Sequence, residues 1–290
     1  DITVTATYLS FRVLSALWLL GVMAAVAASW EPAARRLRLA SLRHRWRLGA
    51  TAGGLLTAAL VGEALGTELG HRSTRASIAE ALGGRLEGDR CVVLFPREMP
   101  RADARRLVDD CDYRVWRVER VLGVRQPVPV TAFFFRSSDE KRALMGASNT
   151  YIAKPWRDEV YLQVSRWPHP VLFHEIVHVV AGEIGRGPFR IAGRVGGLFP
   201  SPALIEGTAV AVAWDAREGL TPHQWARAML ELELAPPLAS IRGLGFLLQP
   251  ASRAYTLSGS FLRWVMDTRG PGVLRRRPKQ LLLTRCAGVQ

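Results

Sequence analysis

The residues of this chain best suited to chemistry are two histidines four positions apart with a glutamate beside the first: His174-Glu175-Ile176-Val177-His178. On a helix, positions i and i+4 share a face. Two imidazoles so placed can bind one zinc ion, and Glu175 can serve a zinc-bound water as general base. A catalytic zinc normally takes three protein ligands and keeps one position open, so a further ligand must come from elsewhere in the chain. Glu206 is the best candidate. It sits in Pro-Ala-Leu-Ile-Glu-Gly-Thr-Ala-Val-Ala, and a carboxylate in the middle of an apolar helix is avoided unless it is paired or holds a metal. Gly207, next to it, would let its helix approach the His174 helix closely. Glu183 is an alternative ligand, but it follows His178 too closely to swing back easily.

These residues need elements to carry them. Pro168 and Pro170 introduce the helix of His174 and His178. Ser201-Pro202 opens the helix of Glu206, a cap followed by proline in the first turn, which runs to about Ala216. Upstream, Cys91–Phe95 reads as a short buried strand. Arg101–Leu122 reads as a helix, with Leu107, Cys111, Val115, Val118 and Leu122 at near-helical spacing, ended by Gly123. Val128–Phe135 and Glu159–Val164 read as strands, and Ser137–Met145 as a short helix. Helices follow at Pro222–Leu234 and Ser258–Thr268. His71–Asp89 reads as a connector and Gly182–Pro200 as irregular chain. Strands first and helices later predict an α+β fold.

At 290 residues the chain has room for one large domain or two modest ones. Its formal charge of +14 carries no nucleic-acid signature, neither helix-turn-helix, zinc finger nor RNA-binding motif. The expected partner of that charge is an anionic membrane surface. Two apolar runs, about 13–28 and 48–65, predict two transmembrane helices, and Arg35, Arg36, Arg38, Arg43, Arg45 and Arg47 lie between or beside them. By the positive-inside rule that loop is cytoplasmic, which places everything after residue 66 on the extracytoplasmic side. A signal peptide fits the first run less well, since only Arg12 precedes it as a basic residue and a second apolar run follows. The division expected is a membrane region over 1–85 and a second domain over 86–290. Cys91 and Cys111 could pair outside the cytoplasm. Cys111 lies on the apolar face of its helix, so both read preferentially as small buried thiols.

The order His174-Glu175-x-x-His178, then Glu206-Gly207-x-Ala209, then Ala254-Tyr255-Thr-Leu-Ser258-Gly259, resembles the gluzincin metallopeptidases, the thermolysin-like branch of the zincins. The likeness covers about residues 90 to 270. It is distinct from the metzincin pattern, which wants a histidine where Ile184 stands and a glycine where Ala181 stands. The resemblance implies a zincin-like domain: a small sheet with the active-site helix, followed by a helical subdomain. It also implies Zn2+ held by His174, His178 and Glu206, Glu175 as general base, and Tyr255 as the hydroxyl that stabilises an oxyanion. The chain departs from the pattern in two places. The stretch between His178 and Glu206 is long, so a loop around Arg186–Pro200 should border the cleft. Val210 stands where thermolysin-like relatives have an acid that orients a zinc-bound imidazole. No aminopeptidase-type exopeptidase segment is present, which favours an endopeptidase or a peptidase of unknown cut.

The expected function is therefore a membrane-anchored zinc metallopeptidase acting on a peptide or protein substrate. The alternative is a catalytically inactive or structural-zinc module tethered to the membrane for binding or sensing, with His169 or Cys286 closing the metal site as a fourth ligand.

Overall fold

The computed structural model describes residues 6–275 apart from 33–34, 39–40, 67, 71–72, 196–198, 217 and 242. The chain forms two compact units, Asp1–Glu80 and Ala81–Gln290. The division falls slightly before 85/86 because Gly83–Glu87 is a strand of the second unit's sheet.

In the first unit, helix α1 (Ala6–Ser29) packs along helix α2 (Trp46–Ala64). Small residues set the approach: a Cβ on Gly21 would come within 2.8 Å of Leu56, and one on Gly62 within 2.7 Å of Leu14. Much of the apolar surface of α1 faces outward, including Leu9, Val13, Leu19, Leu20 and Met23. Among the described residues one helix, α1, is long and apolar enough to cross a membrane. This corrects the expectation of two spans. The second run is helical, but α2 is diluted by Gly49, Gly53, Gly54 and Gly62 and carries Arg47 and Glu63. Helix α3 (Arg75–Leu82) leads into the second unit.

The second unit is α+β. Its sheet contains β1 (Gly83–Glu87), β2 (Cys91–Pro96), β3 (Val130–Phe135), β4 (Ile152–Lys154) and β5 (Glu159–Gln163), in the order β1-β2-β3-β5-β4. The three inner strands are parallel, and both edge strands are antiparallel to their neighbours. Every residue of β3, Val-Thr-Ala-Phe-Phe-Phe, is buried. That follows from its central place, since a strand covered on both faces needs no polar alternation. Helix α4 (Arg101–Leu122) connects β2 to β3. It buries Leu107, Cys111, Val115, Val118 and Leu122 against the sheet and stops at Gly123, whose φ of 61° is the left-handed conformation that glycine adopts freely.

Cys91 on β2 and Cys111 on α4 form a disulfide, with their Cα atoms 6.0 Å apart. The expectation of separate thiols is corrected here. Burial identified both residues correctly, but only the packing of α4 on β2 shows that they face each other. The stretch read as a connector also proves ordered, supplying α3 and β1. Its alternation of exposed and half-buried residues in Gly-Gly-Arg-Leu-Glu is that of an edge strand.

Helix α5 (Ser138–Met145), capped by the Ser137 side chain, follows β3. Helix α6 (Leu172–Ala181) carries the histidines and packs on α4 and β5. Beyond it, a short 3-10 turn over Gly182–Ile184 and the paired segments Arg194–Val195 and Phe199–Pro200 give form to a stretch expected to be irregular. Helices α7 (Pro202–Ala213), α8 (Pro222–Glu231) and α9 (Ala251–Arg269) complete the unit, with α7 packed between α6 and α9. Helix α9 begins at Ala251, well before the expected Ser258, so Tyr255 lies on this helix.

Candidate metal centre

Helix α6 is apolar on nearly all sides. Leu172, Phe173, Ile176, Val177, Val179 and Val180 are buried where it packs between α4, β5 and α7. His174 and His178 are left on the side that opens into a cleft of about 1280 Å³. Glu206 enters the same space from α7. His174 Nε2 lies 3.0 Å from Glu206 Oε2 and 3.1 Å from His178 Nε2, and His178 Nε2 lies 3.4 Å from Glu206 Oε2. These three atoms thus form a nearly equilateral triangle.

The triangle has the dimensions of a metal site. A tetrahedral ion with bonds of ~2.0–2.1 Å holds its ligand atoms roughly 3.3 Å apart. Each Nε2 presents a lone pair to this site, beside a carboxylate oxygen, when its ring is neutral with the proton on Nδ1. The three side chains form the one cluster of three or more potential metal ligands among the described residues.

The electrostatics follow from the same convergence. Burial alone would push the Glu206 carboxyl up, but hydrogen bonds with His174 and His178 and their positive charge hold it at about 2. Burial works against protonation of His178, yet Glu206 and Glu175 together raise its pKa above the ordinary histidine range. Glu175 is 7% exposed and lines the cleft. Burial raises its pKa, the two histidines pull it back, and the neighbouring charge of Glu206 adds to the rise. It is not one of the three converging groups.

No family model matches the chain, and no curated protein matches it. What the site does must therefore be argued from its own atoms.

Tyr255, on α9, stacks on the His174 ring with centroids 6.0 Å apart and planes 22° apart. Burial and the facing carboxylates of Glu206 and Glu175 raise its pKa, Glu206 also by accepting a hydrogen bond from it, so the hydroxyl stays protonated as a donor. Val210 also has a structural account. Its side chain packs onto Gly259 of α9, and a Cβ at Gly259 would collide with it. A longer acid there would be pressed against the backbone of α9 at Gly259. Among the described residues neither histidine hydrogen-bonds any carboxylate other than Glu206.

Gly207 has a different role from the one expected. A Cβ there would sit 2.9 Å from the backbone of Ser258, so the close approach is between α7 and α9, not between α7 and α6. Glu183 is not a ligand either. It pairs with Arg190, which also donates to Asp158 at 2.8 Å and to the carbonyl of Pro155 at 2.9 Å. This pins the segment after α6 to the chain entering β5, beside the cleft. His169 is bound elsewhere through both ring nitrogens, and Cys286 lies outside the described residues.

Lys141 went unnoticed in the sequence. It is fully buried and donates to the carbonyls of Tyr161, at 2.9 Å, and Thr150. Burial lowers its pKa to about 8 against the opposing pull of Glu175. A lysine in a short amphipathic helix gives no signal of such a position.

Proposed function

We propose that this protein is a membrane-anchored zinc metallopeptidase of gluzincin type that hydrolyses peptide or protein substrates. One observation carries the reading: Nε2 of His174, Nε2 of His178 and Oε2 of Glu206 converge within 3.0–3.4 Å at a cleft wall, beside a buried glutamate that is not part of the triangle. Two imidazoles and one carboxylate are a donor set that suits zinc with a position left open. Zinc held there supplies Lewis acidity and lowers the pKa of water towards ~7.

The protein's own groups do the rest. Glu175, raised by burial, accepts the proton of the attacking water and passes it to the leaving amine. Tyr255, protonated and stacked on His174, faces the oxyanion that develops at the scissile carbonyl. The cleft walls, with Tyr151, Trp156, Trp167 and Trp225 among them, offer the peptide apolar surface to pack on. A closed structural zinc site would need a fourth protein ligand, and none converges among the described residues. That favours the catalytic reading over the tethered binding module.

We place the second unit outside the cytoplasm. With α1 alone qualifying as a span, the arginine-rich loop no longer fixes the side. The Cys91–Cys111 disulfide supports an oxidising compartment.

The test pairs metal analysis of the purified full chain with a generic peptide cleavage assay and a chelator control. Glu175→Gln should retain stoichiometric zinc while cleavage falls by ~10²–10⁴. Normal cleavage by that variant would overturn the mechanism, and absence of zinc from the wild-type protein would overturn the metal reading.

A further inference from the structure

His169 has both ring nitrogens in use and a side chain only 1% exposed. Its Nε2 lies 2.8 Å from the carbonyl oxygen of Gln163, the last residue of β5. Its Nδ1 lies 3.3 Å from the backbone nitrogen of Val171 and 3.1 Å from that of Leu172, the first residue of α6. A carbonyl can only accept and a backbone N–H can only donate. These partners therefore fix one neutral tautomer, with the proton on Nε2 and the lone pair of Nδ1 turned to the start of the helix. Burial keeps the ring neutral by lowering its pKa. The Gln163 carbonyl and Asp110 oppose that shift, and Arg114 of α4 adds to it. Phe134 and Tyr151 close around the ring edge-on, with centroids 5.5 and 6.5 Å away.

The first backbone N–H groups of a helix have no partner inside it. They are usually satisfied by Ser, Thr, Asp or Asn at the cap position. Here the cap position is Val171, which offers nothing. His169 supplies the acceptor instead, and its other nitrogen ties that acceptor to the sheet. The residue thus joins the end of β5 to the first turn of α6, two positions before His174.

We propose that His169 is a positioning residue for the metal centre. By clamping the start of α6 to β5 it sets the rotation and axial position of that helix, and so the place of the His174 and His178 Nε2 atoms relative to Glu206. The inference rests on the metal reading given above.

The experiment uses the full chain and three variants, with zinc affinity measured against a chromophoric chelator and the ligand-field spectrum of the Co2+-loaded protein recorded. His169→Leu fills the space without an acceptor. His169→Asn keeps an acceptor near the Nδ1 position. His169→Gln places its amide near the Nε2 position and leaves the helix N–H groups unserved. Expected are a zinc affinity ~10–100-fold weaker and shifted cobalt bands for Leu and Gln, the range seen when groups supporting metal ligands are lost. Asn should stay within about threefold of wild type, with unchanged bands. A merely structural role would lower the melting temperature and leave the cobalt spectrum of the folded protein as it was. If Leu does not fold, the Asn and Gln pair decides. Wild-type bands and affinity in Gln or folded Leu, or loss of metal in Asn, overturn the role of His169 alone. A wild-type chain that binds neither zinc nor cobalt overturns the metal reading, and this one with it.

Discussion

Without a metal, the three converging groups hold each other by proton sharing, and this gives the site a pH signature. Glu206 is held at about 2, below the usual carboxylate range. Its stabilising contribution is present above the unfolded carboxylate pKa and is lost as pH falls towards 2. His178 is raised, so its contribution is present below the ordinary histidine pKa and is lost as pH rises through the raised value. The pair therefore supports the metal-free fold most between about pH 4.5 and 6.5. A metal bound at the proposed site would have to displace the proton from His178. The melting-temperature gain produced by saturating zinc should be small near pH 5.5 and grow towards pH 8, with net proton release measurable by calorimetry in two buffers. A zinc effect independent of pH over that range would contradict the assignment of His178 as a ligand. The residues were legible in the sequence because imidazole spacing on a helix is local. Glu206 was expected beside them, but the distances of the triangle were not legible, because they are set by the packing of α7 on α6.

At the scale of elements, the site depends on how closely helices approach. Helix α7 touches α9 at Gly207 and Ser258, and Gly259 receives Val210 in return. Gly207→Val should cost ~1–3 kcal/mol through overpacking and also weaken zinc binding, since Glu206 is its chain neighbour. Gly53→Ala, at a position where a Cβ meets nothing within 4 Å, should instead leave zinc affinity unchanged and hold or slightly raise the melting temperature. Equal zinc affinity in the Gly207 variant would show that the α7–α9 contact does not position the ligand. Helix α4 was readable to its ends because its apolar spacing and Gly123 are strong local signals. The start of α9 was not, because Ala251–Leu257 has no marked periodicity and is helical through its packing on Ala203, Ile241 and Phe246. Strand β4, three residues long, was missed because an edge strand that short exists only by pairing with β5.

For the whole molecule, the disulfide and the apolar α1 are the two features that bear on compartment. The Cys91–Cys111 bridge closes a loop with a sequence separation of 20. Removing it by Cys91→Ser should lower stability by roughly 3 kcal/mol on chain-entropy grounds, read as a lower denaturation midpoint that reductant reproduces in the wild type and not in the variant. A reporter joined after Leu65 should score as extracytoplasmic. A cytoplasmic score would overturn the outward placement and leave the zinc chemistry untouched. The chain should also resist extraction from membranes by high salt, as expected if α1 sits in the hydrocarbon core and not on a charged surface.

The sequence by itself determined the two imidazoles, the general-base candidate, most helix and strand segments, the α+β class and the carboxylate at Glu206. All are local properties, carried by residue type and by the 3.6 and 2.0 periods of helix and strand. Tertiary structure decided which partners those residues meet. It turned Glu183 to Arg190, joined Cys91 to Cys111, aimed Gly207 at α9 in place of α6, and set His169 between the sheet and the histidine-bearing helix. Each is a contact between segments distant in sequence or across a tight turn, where burial and hydrogen-bond satisfaction select one partner among several that the sequence permits.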